Sequence, residues 1–134
     1  MPSIYDARST REWCDQETVG ESFYRTALND IRKHVPINEH NVRRFDATLV
    51  LEMDNPHSKS GHAISVRWQD RVIAHVPDSE TNDYFPELAR LAASGFDARV
   101  RATLWTNETQ PNFNPRDVHM SVHIGSQPPG MIAP

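Results

Sequence analysis

Short segments with an apolar residue at every second position constrain the fold of this chain most strongly. The segment FDATLVLEM has this period of two, which is typical of a β-strand with one buried face. Its apolar positions are Phe45, Ala47, Leu49 and Leu51. A core built on such a pattern comes from several short strands, and we therefore expect a β-rich domain.

Two later segments repeat the same period and are also predicted to be strands. ARVRATLWT has one face of Ala98, Val100, Ala102 and Leu104 and a second face of Arg99, Arg101, Thr103 and Trp105. DVHMSVHIG has Val118, Met120, Val122 and Ile124 on its apolar face and His119, Ser121 and His123 on the other.

A β-hairpin is predicted in the segment AISVRWQDRVIAHVP, with its turn at Gln69 and Asp70. Apolar residues alternate with other residues on both sides of that turn. These apolar positions are Ile64, Val66 and Trp68 before the turn and Val72, Ala74 and Val76 after it.

Two segments have the spacing of helices. In RTALNDIRKHV one apolar stripe precedes Pro36, so a short helix is expected there. The stripe consists of Ala27, Leu28, Ile31 and Val35. A second helix is expected in DSETNDYFPELARLAASG, with Asp83 as its N-cap, Pro86 in its first turn and Gly95 at its end.

The order of these elements predicts the fold class. Strands predominate, and they do not alternate with helices as they would in a parallel sheet. We therefore expect a mainly β (α+β) protein, a small antiparallel and partly open β-barrel with about two helices. The barrel is expected to span residues 17–125, between a flexible arm at 1–16 and a disordered tail at 126–134 that is rich in proline.

Length and composition narrow the class of protein further. A chain of 134 residues is expected to form one domain. It has no apolar run long enough for a membrane helix and no secretory signal at its start, so a cytoplasmic protein is expected. The one cysteine, Cys14, excludes an intramolecular disulfide and a zinc site with several cysteines. The net charge of -4 argues against duplex DNA binding through a broad cationic surface.

Residues for metal or catalytic chemistry give no specific motif. Five glycines do not form a phosphate-binding loop, and no cofactor is expected. His119 and His123 would share one strand face, but no third ligand stands at motif spacing, so ordinary surface histidines are favoured over a metal site. No nucleophile or carboxylate pair has a recognisable local pattern, which leaves an enzyme of unknown type as the last alternative.

The strand face that carries Arg99, Arg101 and Trp105 combines cations with an aromatic ring. Such a combination suits single-stranded nucleic acid, in which bases stack on aromatic rings and arginines contact the phosphates. The plainer alternative is the outer face of a barrel strand, where two arginines and one tryptophan are not unusual.

Several motifs together resemble the HIRAN domain family. They are GESFY, DNPHSKSGHAISV, VIAHVP, the Phe-Pro-Glu-Leu helix and the final HMSVHIG, in that order. The resemblance runs from about Val19 to Gly125. It implies an OB-like β-barrel with helical insertions, which is usually attached to a helicase-like translocase or a nuclease and is also found alone in bacteria.

The resemblance also implies a ligand, because the best understood member of the family captures the 3′-hydroxyl end of single-stranded DNA. In that member, aromatic residues of the first strand stack on a base and the Asn-Pro loop reaches the terminal sugar. The matching positions here are Phe23, Tyr24, Asn55 and His75, with Phe113 as a late aromatic. A stacked base contributes about 1–3 kcal/mol without sequence preference.

At two positions the chain differs from that member, since Ser22 replaces an arginine and Ser58 replaces the aspartate that binds the 3′-hydroxyl. The Asn-Pro loop is also two residues longer than in that member.

Two hypotheses about function follow from these motifs. The first is a module that binds single-stranded DNA, including its 3′ end, beside a helicase-like translocase or nuclease. The second is a protein-interaction domain that keeps the barrel and has lost the DNA end.

Overall fold

The computed structural model describes residues 3–7, 14, 16–52 and 63–125. Its elements, in chain order, are β1 (Ser3–Asp6), β2 (Gln16–Glu17), a 3₁₀ turn (Glu21–Tyr24), α1 (Arg25–His34), β3 (Val42–Glu52), β4 (Ala63–Trp68), β5 (Arg71–His75), α2 (Asp78–Ala93), β6 (Phe96–Thr106) and β7 (Met120–Gly125). In this described part of the chain, neither helix has the length and apolar character needed to cross a bilayer.

The strands form one curled sheet in the order β2-β7-β6-β3-β4-β5, with antiparallel neighbours throughout. Its longest ladder joins β3 to β6, from the Val42–Trp105 pair to the Leu49–Ala98 pair. The sheet forms a half-barrel that carries two helices, and the predicted mainly β, antiparallel fold class is confirmed. β1 is the exception, because it pairs in parallel with the start of β6.

The two faces of the sheet differ in burial, as the alternation of apolar and polar residues along the strands predicts. On β6 the even-numbered residues Ala98, Val100, Ala102 and Leu104 are at most 1% exposed, whereas the residues between them are half-buried. The even-numbered face of β6 and the odd-numbered face of β3 form the core together with apolar side chains of both helices. We call the opposite, half-exposed side of β3, β4 and β6 the open face.

A short segment before the 3₁₀ turn connects the two edges of the sheet. Gln16 and Glu17 pair with β7, and Val19 forms a bridge to His75 at the end of β5. Between these pairings, the buried Thr18 donates a hydrogen bond of 2.8 Å from Oγ1 to the carbonyl oxygen of Val122. The half-barrel is therefore closed at this point by residues 16–19.

The second helix begins earlier than predicted. Its first residue is Asp78, so Asp83 is not the N-cap and Pro86 lies inside the helix. Pro77 supplies the start, because its carbonyl oxygen accepts a bond of 2.9 Å from the amide of Glu80. A proline in a helix interior removes one backbone hydrogen bond, and the helix continues past Pro86 because it packs Leu88 and Leu91 in the core.

Three strand assignments also differ in detail. Within the predicted N-terminal arm, Ser3–Asp6 forms β1, whose exposed residues give no apolar alternation. In the hairpin, the register shifts after Val66, and this β-bulge buries Ile73 although the period of two placed it on the opposite face. The last strand begins at Met120, since the residues before it belong to the loop that follows β6.

Candidate functional site

The motif GESFY forms a tight turn, whereas the family resemblance implied a strand. Gly20 has a φ of 84°, which is favourable only for glycine, and its carbonyl oxygen accepts a bond of 3.0 Å from the amide of Phe23. The 3₁₀ turn then runs directly into α1. The expectation of stacking aromatics on a first strand is therefore wrong, because Gly20 turns the chain immediately after Val19.

Phe23 is the most exposed large apolar side chain among the described residues, with 83% of its surface accessible. Ser22, beside it, is also exposed. Both stand on a turn that is fixed at its start by the Val19–His75 bridge and at its end by α1. The turn therefore presents a flat ring to solvent on a firmly anchored backbone.

Tyr24 is half-buried and lies against His75. The centroids of the two rings are 5.8 Å apart with a tilt of 40°, and the Tyr24 hydroxyl lies 3.4 Å from Nδ1 of His75. Burial, and secondly the negative charge of Glu52, raise the pKa of the Tyr24 hydroxyl above its usual value. The phenol therefore stays protonated at neutral pH.

A chain of polar contacts continues from His75 across the open face. Its Nε2 lies 2.7 Å from Oε1 of Glu52, and the other carboxylate oxygen lies 4.0 Å from Nη2 of Arg67. Arg67 in turn donates a hydrogen bond of 3.0 Å from Nε to Oγ of Ser65. When the imidazole is neutral with its proton on Nε2, Nε2 donates a hydrogen bond to the Glu52 carboxylate and Nδ1 accepts one from the Tyr24 hydroxyl. These contacts orient the Tyr24 ring.

The arginine-bearing face predicted for β6 is confirmed, since Arg99, Arg101 and Trp105 are all half-buried on the open face. This arginine-bearing face continues to the Tyr24–His75 pair. Thr48 on β3 pairs with Arg99 on one side and with Arg67 on the other, and Arg67 belongs to the chain of contacts that begins at His75. A shallow pocket of about 240 Å³ is also found there. It is lined by Arg44, Phe45, Asp46, Arg101 and Ala102.

Of the remaining site residues from the sequence, Asn55 and Ser58 lie outside the described residues. Phe113 is half-buried in the loop between β6 and β7, and among the described residues no hydrogen bond or ring contact connects it with Tyr24 or His75. Of the predicted site residues that the structure describes, Ser22, Phe23, Tyr24 and His75 lie together and Phe113 lies apart.

Sequence reasoning did not assign Glu52 and Arg67 to the site. Glu52 belongs to no carboxylate pair with a recognisable local pattern, and Arg67 stands in no motif that points to a site. The alternation of β3 places Glu52 on the same face as Thr48, which is a usable signal. Its contact with His75 depends on the pairing of three strands, which no local pattern contains.

No group of three metal-binding side chains is found within residues 3–7, 14, 16–52 and 63–125. His119 lies in the loop before β7, with Nε2 at 3.4 Å from Oδ2 of Asp117. His123 lies on β7, opposite Thr103 and Glu17. The two histidines therefore belong to different surroundings.

Comparison with known proteins gives no relative for this chain. No family model, curated protein or solved structure matches it. The resemblance to HIRAN domains consequently depends on the short motifs alone. Function has to be inferred from the geometry of the turn, the Tyr24–His75 pair and the open face.

Proposed function

We propose that this domain binds single-stranded nucleic acid, with DNA as the ligand that the sequence motifs favour. The observation that carries the proposal is the 83% exposed ring of Phe23, anchored beside the Tyr24–His75 pair. An exposed ring next to a second, oriented aromatic group is what base stacking requires. Stacking does not read sequence, so we expect little base preference.

The open face supplies the path of the strand. From His75 on β5 to Arg99 on β6, the path crosses β4 and β3, three strand spacings of about 4.8 Å each. Arg67 and Arg99 lie along it, and their guanidinium groups suit phosphate oxygens. Acidic groups share this face, including Glu52. A small number of phosphate contacts is therefore expected, in agreement with the net charge of -4.

Finer features of the proposal come from the sequence motifs. Recognition of a 3′ end would involve the Asn-Pro segment of the sequence, with Asn55 and Ser58. A helicase-like translocase or a nuclease is the kind of partner that the motifs favour. We assign the chemistry of strand cleavage or translocation to such a partner, and to this domain the binding of the single strand.

Fluorescence anisotropy with a labelled single-stranded oligonucleotide of about ten nucleotides tests the proposal, since a site of this type covers about 4–16 nucleotides. Saturable binding at low salt is expected. Replacing Phe23 by alanine should weaken binding roughly five- to hundredfold, as the loss of one stacked base predicts. The matched control is Ile4→Ala, because Ile4 is also exposed but lies on β1.

The salt dependence gives a second readout of the same experiment. If Arg67, Arg99 and Arg101 contact three phosphates, the logarithm of affinity should fall with the logarithm of salt concentration with a slope of about -2. Absence of binding to both 3′-free and 3′-blocked strands at low salt would rule out the proposal. Equal binding of both strands would retain the single-strand function and remove the preference for an end.

A protein-interaction domain is the second candidate, and one observation favours it. Val19 is 47% exposed and stands four residues before Phe23, so two apolar side chains are accessible at the same turn. If the domain binds a protein at this turn, Phe23→Ala should weaken the complex with that protein, and the wild-type domain should bind no oligonucleotide. A pull-down with this variant and with Ile4→Ala therefore separates the two candidates.

A further inference from the structure

A second cavity lies on the other side of the sheet from the open face, between α1 and the loop that follows β6. Its volume is about 400 Å³, within the usual range of small-ligand sites. Every side chain that lines it is polar or charged. These residues are Asn29, Arg32, Lys33, Arg43 and Glu108.

Arg43 and Glu108 form the fixed base of this cavity. The Arg43 side chain is only 8% exposed, and it donates from Nε to the carbonyl oxygen of Val35 and from Nη1 to Oε1 of Glu108, at 3.0 and 2.5 Å. Thr106 donates a further bond to the same carboxylate oxygen. These bonds and the Arg43 charge hold the pKa of Glu108 below its usual value, so one carboxylate compensates the buried guanidinium.

Arg32 and Lys33 add two more cations to a cavity with a single carboxylate. Nη1 of Arg32 donates a bond of 3.0 Å to Oδ1 of Asn29. Nε of Arg32 is buried, lies 3.8 Å from Oε1 of Glu108 and makes no hydrogen bond with any residue that the structure describes. A buried donor without a partner is unfavourable and calls for an explanation. The Asn29 amide keeps its NH₂ group as a donor, because its oxygen accepts from Arg32.

We propose that this cavity binds a phosphate group. The cavity suits a small, strongly hydrated anion because it has excess positive charge and a guanidinium group held by Asn29. Its wholly polar lining does not suit an apolar ligand. The phosphate would come either from solution or from the backbone of a nucleic acid. This site goes beyond the single-strand function, since its lining residues lie on α1, β3 and the loop after β6 and include neither Phe23 nor the Tyr24–His75 pair.

Titration of the ¹⁵N-labelled protein with inorganic phosphate, at constant ionic strength maintained with chloride, tests this proposal. Saturable amide shifts are expected at residues 29–33, 43 and 108. Arg32→Gln and Lys33→Gln should each weaken phosphate binding by about tenfold or more, since a hydrogen bond to a charged group contributes about 1.5–3 kcal/mol. Arg90→Gln on α2 is the control, because it removes a cation outside the cavity.

Folding of each variant is checked by circular dichroism, and Arg32→Lys provides a second test that preserves the charge. Loss of the guanidinium fork alone should still weaken binding. Shifts that do not saturate, or an equal loss in Arg90→Gln, would overturn the proposal and indicate a general ionic effect. A parallel titration with an oligonucleotide that lacks terminal phosphates identifies the source of the phosphate. If the oligonucleotide shifts the amide signals at the cavity, the site binds backbone phosphate. If inorganic phosphate shifts these signals and the oligonucleotide does not, the site binds free phosphate. Both outcomes support the site.

Discussion

Val19 and His75 exchange two backbone hydrogen bonds, each 2.8 Å long. Because Gln16 and Glu17 pair with β7, this bridge completes a connection between the two edges of the sheet. The same bridge places the Gly20 turn beside β5 and brings Tyr24 against His75. The candidate site is therefore located where the half-barrel closes, and its geometry depends on that closure.

Substituting Gly20 by alanine tests whether the turn controls the site. Its φ of 84° costs an alanine about 1 kcal/mol, whereas the added Cβ meets Phe23 and Tyr24 only at 3.9 Å, an ordinary contact. We expect a loss of about 1 kcal/mol in the free energy of unfolding, measured by urea titration, together with weaker oligonucleotide binding.

Gly95→Ala is the matched control for this substitution. Gly95 follows the end of α2, far along the chain from the turn; its φ is 85°, and an added Cβ would meet no atom within 4 Å. We expect the same loss of stability and unchanged oligonucleotide binding. Equal binding by the Gly20 and Gly95 variants would show that the turn does not determine the site.

Glu52→Gln should lower the pKa of Tyr24, because the negative charge of Glu52 is one of the two causes that raise it. The pKa should remain above 10.0, since burial of the ring, the larger cause, is unchanged. A pH titration of the tyrosine ¹³Cζ signals measures this shift. Asp46→Asn is the control on the same face of β3, and an equal change in that variant would contradict the contact with Glu52.

Glu108→Gln should destabilise the domain at neutral pH by about 2 kcal/mol, because it leaves the buried Arg43 without its counter-charge. The folded pKa of Glu108 lies below its ordinary value of 4.5, so its contribution is present above that pH and is lost as pH falls through the folded pKa. Wild type and variant should therefore converge in stability under acid conditions.

Urea unfolding at several pH values checks this prediction. Glu87→Gln is the control, since Glu87 pairs with the exposed Arg90 on α2 and a helix-surface pair of this spacing contributes only about 0.2–0.5 kcal/mol. A difference between wild type and Glu108→Gln that stays constant from neutral pH to pH 3 would be inconsistent with an ionised Glu108 in the folded state.

Asp70→Gly should stabilise the domain. Gln69 and Asp70 both have positive φ values, 51° and 63°, at the turn between β4 and β5, and such two-residue turns favour glycine. In the folded state, glycine should gain about 0.5–1 kcal/mol in the free energy of unfolding because it adopts this φ without strain. The greater freedom of glycine in the unfolded chain lowers the gain that is measured. A lower urea midpoint in the variant would contradict this turn geometry.

The sequence predicts the strands better than the site, for physical reasons. Alternation is a local property, so the buried faces of β3 and β6 follow directly from their residues. The start of α2 was misplaced because Asp83 is a favourable N-cap type, whereas Pro77 begins the helix through its carbonyl oxygen. Local preference did not distinguish these two possible starts.

The site depends on contacts between residues that are distant in sequence. Glu52 and His75 meet because β3, β4 and β5 are neighbours in register, and Tyr24 reaches His75 because Val19 pairs across the closure. A periodic pattern contains neither relationship. The motifs proposed Phe23, Tyr24 and His75 as site residues, which stays a prediction, but they assigned the two aromatics to a strand, whereas both lie in the 3₁₀ turn.

The most direct measurement is an NMR titration that follows the ring signals of Phe23 while a single-stranded oligonucleotide is added. A base stacked on the ring shifts the ring protons upfield through its ring current. We expect an upfield shift that saturates, with the same dissociation constant as the anisotropy measurement, while the Ile4 signals remain unchanged. Binding that leaves the Phe23 ring signals unmoved would contradict base stacking at this turn.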